Sequence, residues 1–220
     1  HMRSYTNRAE AGKHLAAHLK QYENDAGAIV LGLPRGGVPV AFEVARELGL
    51  PMDVFLVRKV GVPGHGELAM GAIASGGGRA VNERVMRTAG VSPEQFEQVA
   101  GREREELERR EQAYRGDRPP LQLAGKTAIL VDDGLATGAS MRAAVDVVRG
   151  ENPAKTVVAV PVAPPDTCAA IEAQVDELVC PLTPQMFMAV GNWYREFGQT
   201  TDDEVRALLA QAAEELPAPQ

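Results

Sequence analysis

The sequence predicts an α/β protein built on an open, mainly parallel, twisted sheet flanked by helices. Two observations point there. Between residues 28 and 182, apolar runs bounded by glycine or proline alternate with amphipathic stretches, the pattern of strands joined by crossover helices. One of these runs ends in two adjacent carboxylates, Asp132 and Asp133, then passes through a small-residue loop into a helix. Ligands of open α/β sheets bind at such carboxyl ends. With 220 residues, 45% of them hydrophobic and 24% charged, the chain suits one globular domain, expected over residues 2–220.

Taken in order, Gly12, His14, Leu15, His18 and Leu19 recur at helical spacing and predict a short first helix. Residues 28–33 are an apolar run stopped by Pro34-Arg35-Gly36-Gly37, a buried strand. Val40, Ala41, Val44, Ala45 and Leu48 share a helical face, and Gly49 ends that helix. Residues 52–60 form a second β-rich run. Residues 61–66 are polar, glycine-rich and aperiodic, and predict a long mobile loop. Residues 71–75 and 79–82 can pair as a hairpin across Gly76-Gly77-Gly78.

Ser92, Pro93 and Gln95 make a helix start with a capping box. The helix runs to about Tyr114, with Glu105/Arg109, Glu106/Arg110 and Glu111/Arg115 at i,i+4 and a thin apolar stripe of Phe96, Ala100, Leu107 and Tyr114. It reads as a solvated helix packed along one seam, or else as a subunit contact that would make a homodimer. Residues 127–131 are a third strand, followed by a helix to Arg149. Two more strands, 156–162 and 177–182, flank a helix from Asp166 to about Val175. Thr201 and Glu204 form another capping box for a final helix, docked by Leu208 and Leu209, and residues 217–220 are expected to fray. His1-Met2 reads as a remnant of cloning.

The net charge of −7 is the wrong sign for a dedicated nucleic-acid binder. No apolar run approaches the roughly 20 residues of a membrane span, and no secretory signal is seen, so a cytoplasmic protein is expected. Cys168 and Cys180 read as small buried residues rather than a disulfide scaffold or zinc site. Dinucleotide and NTPase readings lack their glycine motifs.

The chemistry concentrates after residue 131. Ala136, Thr137, Gly138, Ala139 and Ser140 lead straight into a helix. Free backbone N–H groups and the positive end of a helix dipole make such a turn an anion site. Thr137 and Ser140 add hydroxyl donors. Carboxylates for vicinal sugar hydroxyls, beside a cradle for phosphate, together suggest a ribose 5-phosphate.

Val131 to Ser140 resembles the signature of the type I phosphoribosyltransferases, which bind 5-phosphoribosyl 1-pyrophosphate (PRPP). The other elements follow in that family's order. Leu33-Pro34-Arg35-Gly36-Gly37 resembles the pyrophosphate loop, often built with a cis peptide. Val57-Arg58-Lys59-Val60 resembles the basic entry to the flexible loop that closes over PRPP. The match covers about residues 28–182, leaving a charged helical insertion at about 92–116 and a small C-terminal hood and helix at about 183–216.

The resemblance implies transfer of the phosphoribosyl group to a nitrogen acceptor, a nucleobase or related amine, through an oxocarbenium-like transition state. Asp132 and Asp133 would hold the ribose and, with Arg35, carry catalysis. Residues 136–140 would hold the 5-phosphate, and Arg35, Gly36, Gly37, Arg58 and Lys59 the pyrophosphate. Mg²⁺ would be bound mainly through PRPP and water, with no direct protein ligand. His65 and Glu67 are candidates for the lid. Phe187, Trp193, Tyr194 and Phe197 are candidates for the hood wall around the acceptor. Ala136 stands where the 6-oxopurine enzymes of the family carry an aspartate. A PRPP-sensing protein on the same fold, binding without turnover, is the alternative.

Overall fold

Strand β1 (Ala28–Gly32) is buried along its whole length, because it is an inner strand of a sheet covered on both faces. Val30 faces one apolar layer, and Ile29 and Leu31 face the other, the alternation a pleated strand imposes. The computed structural model describes residues 4–219. His1 and Met2, with their reading as a cloning remnant, lie outside it, as does Gln220.

From β1 the chain crosses through α2 (Gly37–Leu48) to β2 (Met52–Val54). It later enters β6 (Thr127–Val131), α5 (Ala139–Arg149), β7 (Lys155–Ala159), α6 (Pro165–Glu172) and β8 (Glu177–Val179). These five strands form one parallel sheet in the order β2-β1-β6-β7-β8. The chain winds outward to one side from β1 and to the other from β6. A crevice therefore opens above the carboxyl ends of these two neighbours. Gly32 is in register with Val131, so the loops leaving both strands emerge side by side.

The run 52–60 is a correction: it is two strands. β2 ends at Val54, and β3 (Val57–Val62) joins β4 (His65–Ala74) and β5 (Arg79–Val81) in a separate antiparallel sheet. The corner is held by Ser75, whose Oγ accepts from Leu56 N at 2.9 Å and whose N–H donates to Leu56 O at 2.9 Å. The long loop at 61–66 is a second correction. Pro63-Gly64 makes a two-residue turn, Val62 pairs with His65, and the segment is the tip of the β3–β4 hairpin. The hairpin expected at 71–75 and 79–82 forms, with Gly71, Ala72 and Ile73 opposite Val81, Ala80 and Arg79. A short helix α3 (Glu83–Ala89), capped by Asn82, has no expectation in the sequence reading.

Helix α1 (Arg8–Ala17) packs on α2. Helix α4 (Pro93–Arg115) has the expected capping box and buries the expected stripe, and it lies against the small sheet. Its C-terminal end is pinned by a buried ion pair in which Arg115 Nε and Nη2 contact Asp53 at 3.1–3.2 Å. Helix α7 (Asp202–Glu215) starts at its Thr201 cap and docks on α2 and α4. The helix read to Val175 ends at Glu172, and the last two main-sheet strands are shorter than their apolar runs. Cys168 is buried and Cys180 partly so, and both are free. No helix among the described residues is long and apolar enough to cross a membrane.

Candidate functional site

Two loops meet in the crevice between β1 and β6. The first, 33–37, turns tightly: Gly37 N–H donates to Leu33 O at 3.0 Å, and the Pro34–Arg35 peptide is cis. A Cβ on Gly36 would collide with the Asp133 carboxylate, and one on Gly37 would lie 2.7 Å from Val131 O. These glycines thus let the first loop press directly onto the carboxylate-bearing end of β6. The Gly37 N–H is used inside the turn, so of the two glycines it is Gly36 that can offer an amide to a ligand.

The second loop, 132–138, ends at Gly138, whose φ of +74° starts α5. A side chain there would be strained, and its Cβ would meet Thr167 Cγ2 at 2.9 Å. The loop is braced at several points. Thr167 Oγ1 donates to Ala136 O at 2.7 Å, Ala139 N–H donates to Thr137 Oγ1 at 3.3 Å, and Arg142 Nη2 donates to Thr137 O at 3.0 Å. The first N–H groups of α5 have no partner within the helix, so this exposed turn with a guanidinium beside it suits an anion.

Asp132 and Asp133 sit differently. Asp133 Oδ2 accepts from Arg8 Nε at 3.0 Å, with both side chains mostly buried. Arg8 also donates to Gly198 O at 2.6 Å and stacks 4.1 Å above the Phe197 ring. Tyr194 donates its hydroxyl to Asp133 O at 2.6 Å, and burial pushes that phenol far up. Burial pushes the Asp132 carboxyl well above the usual range, and the charge of Asp133 adds to it. Asp132 therefore resists ionisation until a cation or hydrogen-bond donors reach it.

A cavity of about 150 Å³ lies against Asp132, lined also by Pro34, Arg58, Arg110 and Ser140. Arg58 enters it while bonded to Glu103 at 2.6 Å. Lys59, one residue on along β3, faces the other way into a groove of about 710 Å³ with Glu67, Ala139 and Arg142. The two basic residues taken together in the sequence are thus separated, and only Arg58 shares the small cavity. Arg35 lies 3.7 Å from Asp202 at the start of α7. The Tyr114 hydroxyl, donating at 2.5 Å, holds Asp202 below the usual carboxylate range, with Arg35 adding to the effect.

His65 and Glu67 are exposed at the start of β4, 4.0 Å apart, on a hairpin rather than a loop. The hairpin register is irregular between Val60 and Val62. Amides of residues 61–66 are expected to exchange rapidly in the free protein and to become protected when PRPP and a base analogue bind. Hydrogen exchange reads this directly, and protection already present in the free chain would count against a closing lid.

The hood candidates differ in exposure. Phe187, Trp193 and Tyr194 are buried with Tyr5, Ala11 and Val162 in a satellite core, and Trp193 Nε1 donates to Phe187 O at 2.8 Å. Tyr194 supports the loop carrying Asp133 through its hydroxyl, and the three rings pack on one another and on Tyr5 instead of standing open. Phe197 is partly exposed. Arg8, Arg110, Arg142 and Thr167 were missed, and only contacts distant in sequence reveal most of them.

The chain matches the family described as phosphoribosyl transferase domain over residues 3–192. Two curated Mycobacterium tuberculosis proteins, whose names provisionally call them phosphoribosyl transferases, are 46% identical over 211 residues. The alignment covers 96% of this chain and 47% of each of theirs, so the chain spans about half the length of the curated relatives it matches. The crystal structure of the protein TT1426 from Thermus thermophilus superposes with a TM-score of 0.85 at 45% identity, over 96% of this chain and 99% of that one.

Proposed function

We propose an activity for a chain that belongs to the phosphoribosyltransferase family: transfer of the 5-phosphoribosyl group of PRPP to a nitrogen acceptor, with release of pyrophosphate. The observation that supports it best is the meeting of the two loops. Gly36 and Gly37 abut Asp133 and Asp132, so a basic turn and a carboxylate–phosphate cradle address one crevice.

In this reading the α5 N-terminus and the hydroxyls of Thr137 and Ser140 receive the 5-phosphate. Asp132 and Asp133 accept from the ribose hydroxyls, and their negative charge favours the cationic sugar of the transition state. Arg8 keeps Asp133 in place. Arg35 and Arg58 leave Asp202 and Glu103 for pyrophosphate oxygens, a better match for a planar fork. Holding both ends of PRPP at fixed separation supplies the orientation. Mg²⁺ would be held mainly through PRPP and water, with the Asp132 carboxylate beside it suiting the hydration shell of a hard cation. That cation would neutralise the pyrophosphate charge.

The test is a pyrophosphate-release screen with PRPP and Mg²⁺ across nucleobases and small amines. Release dependent on one acceptor supports the enzyme. PRPP binding without release favours the sensing protein, and no PRPP binding sinks both.

Arg35→Ala is expected to weaken pyrophosphate binding by about 1.5–3 kcal/mol, roughly 10- to 150-fold. Ribose 5-phosphate binding should change by less than about twofold, because the 5-phosphate cradle lies on the other loop. The exposed contact with Asp202 contributes little to stability. Isothermal titration with both ligands decides, and equal weakening would contradict two separate subsites.

A further inference from the structure

We propose that Arg110, on the charged helix α4, is a third pyrophosphate-binding guanidinium beside Arg35 and Arg58. The proposal rests on the phosphoribosyltransferase reading above and adds a residue to it that lies outside both signature loops.

The helix places it there. Glu103, Leu107, Arg110 and Tyr114 are spaced by four, three and four residues, which keeps them on one face of an α-helix. Leu107 is buried in the core, and Tyr114 reaches Asp202. Glu103 reaches Arg58. Arg110, between them, lines the same small cavity as Pro34, Arg58, Asp132 and Ser140. Residues of α4 thus meet the site at three successive points.

The pairing on the helix leaves Arg110 available. Spacing alone predicts a Glu106–Arg110 pair, but Glu106 is taken by Arg109 at 2.6 Å, on the exposed side. Among the described residues Arg110 forms no ion pair, whereas Arg58 and Arg35 each have a carboxylate. Arg110 flanks the Tyr114 hydroxyl, within electrostatic reach of Asp202.

Arg58 and Arg110 converge on one small space, and of the two only Arg58 has a carboxylate at ion-pair distance. In a chain of net charge −7 such convergence is local and specific. Among the described residues Asp132 is the one carboxylate lining the cavity, against two guanidinium groups. A ligand with several negative charges and oxygens for planar forks answers this arrangement, and pyrophosphate has both.

The experiment titrates magnesium pyrophosphate and ribose 5-phosphate, separately, into the full chain and its variants. Arg110→Gln is expected to weaken pyrophosphate binding at least about tenfold, the lower end for a lost charge-assisted contact. It should leave ribose 5-phosphate within about twofold. Arg109→Gln, next along the helix but facing solvent, is expected to change neither. In the unmodified chain, pyrophosphate should protect Arg110, and not Arg109, from phenylglyoxal, a readout that survives any folding defect of the variant. An unchanged pyrophosphate affinity in Arg110→Gln, or an Arg110 left unprotected at saturating pyrophosphate, overturns the proposal while the family activity stands. Equal weakening for both ligands assigns Arg110 a structural role and overturns it too. Failure of the unmodified chain to bind pyrophosphate removes the functional reading itself.

Discussion

The double variant Asp132→Asn with Asp133→Asn is expected to lose transfer by more than about 10³-fold in kcat/KM and to bind PRPP far more weakly, with the fold retained. Removing a single preorganised electrostatic contact to a transition state costs about 10²–10³-fold, and Asp132 lines the cavity at the proposed ribose position with Asp133 next to it. Their stability effects oppose each other. The Asp132 carboxyl is raised by burial first and by Asp133 second. A carboxyl with a folded pKa above its unfolded one contributes stability that is fully present below the unfolded pKa and lost as pH rises through the folded pKa. Asp132→Asn alone should therefore flatten the decline in thermal midpoint from acid toward neutral pH. Asp133→Asn removes the anion held by Arg8 in a mostly buried pair, which destabilises. Calorimetry of PRPP binding and thermal unfolding across pH separate the two effects. Unchanged PRPP affinity in the double variant would sink the ribose assignment.

The same carboxylates explain how much was legible in the sequence. The β6–α5 junction is local: an apolar run, two acids, a small-residue turn and a helix follow each other without interruption. Strand β1 and the capping box of α4 were legible for the same reason. Features decided by distant contacts were not. Residues 52–60 are apolar over most of their length, so nothing local marks the corner that Ser75 makes 19 residues away. The β3–β4 tip is exposed on both faces and lacks the alternation of a half-buried strand, so its polar residues resemble a loop; Pro63-Gly64 was the available turn signal. Arg8 stands 125 residues from Asp133 and sits in an otherwise ordinary helix start. The aromatic residues of the hood were visible, but their facing depended on the partners Tyr5 and Ala11 contributed by the N-terminal segment.

The second large effect concerns the acceptor and turns on Ala136. Hypoxanthine and guanine are expected to be turned over weakly or not at all with PRPP. In the 6-oxopurine enzymes that the signature resembles, the matching position carries an aspartate that faces the purine and can manage its proton. A methyl group can neither accept a proton nor hydrogen-bond a ring nitrogen. General acid–base help contributes about 10²–10⁴-fold, so the replacement removes a substantial share of such a reaction. The local geometry sharpens the test. Ala136 is exposed, and its carbonyl is fixed by Thr167 at 2.7 Å, so Ala136→Asp has room to form without moving the loop. A carboxylate placed there should still give no more than modest rescue, because a purine also needs a facing wall, and Phe187, Trp193 and Tyr194 are committed to the satellite core. In the proposed function, Glu67, which shares the larger groove with Ala139, and His65 beside it would be the groups on the hairpin placed to move a proton. An acceptor whose proton is managed from that side fits this chain better than a 6-oxopurine. Adenine-type enzymes resemble the Ala-Thr-Gly pattern, so purines as a class stay open. Steady-state assays of both bases with PRPP decide: kcat/KM above about 10⁴ M⁻¹s⁻¹ for either, the lower end of ordinary enzymes, would show that Ala136 does not exclude them.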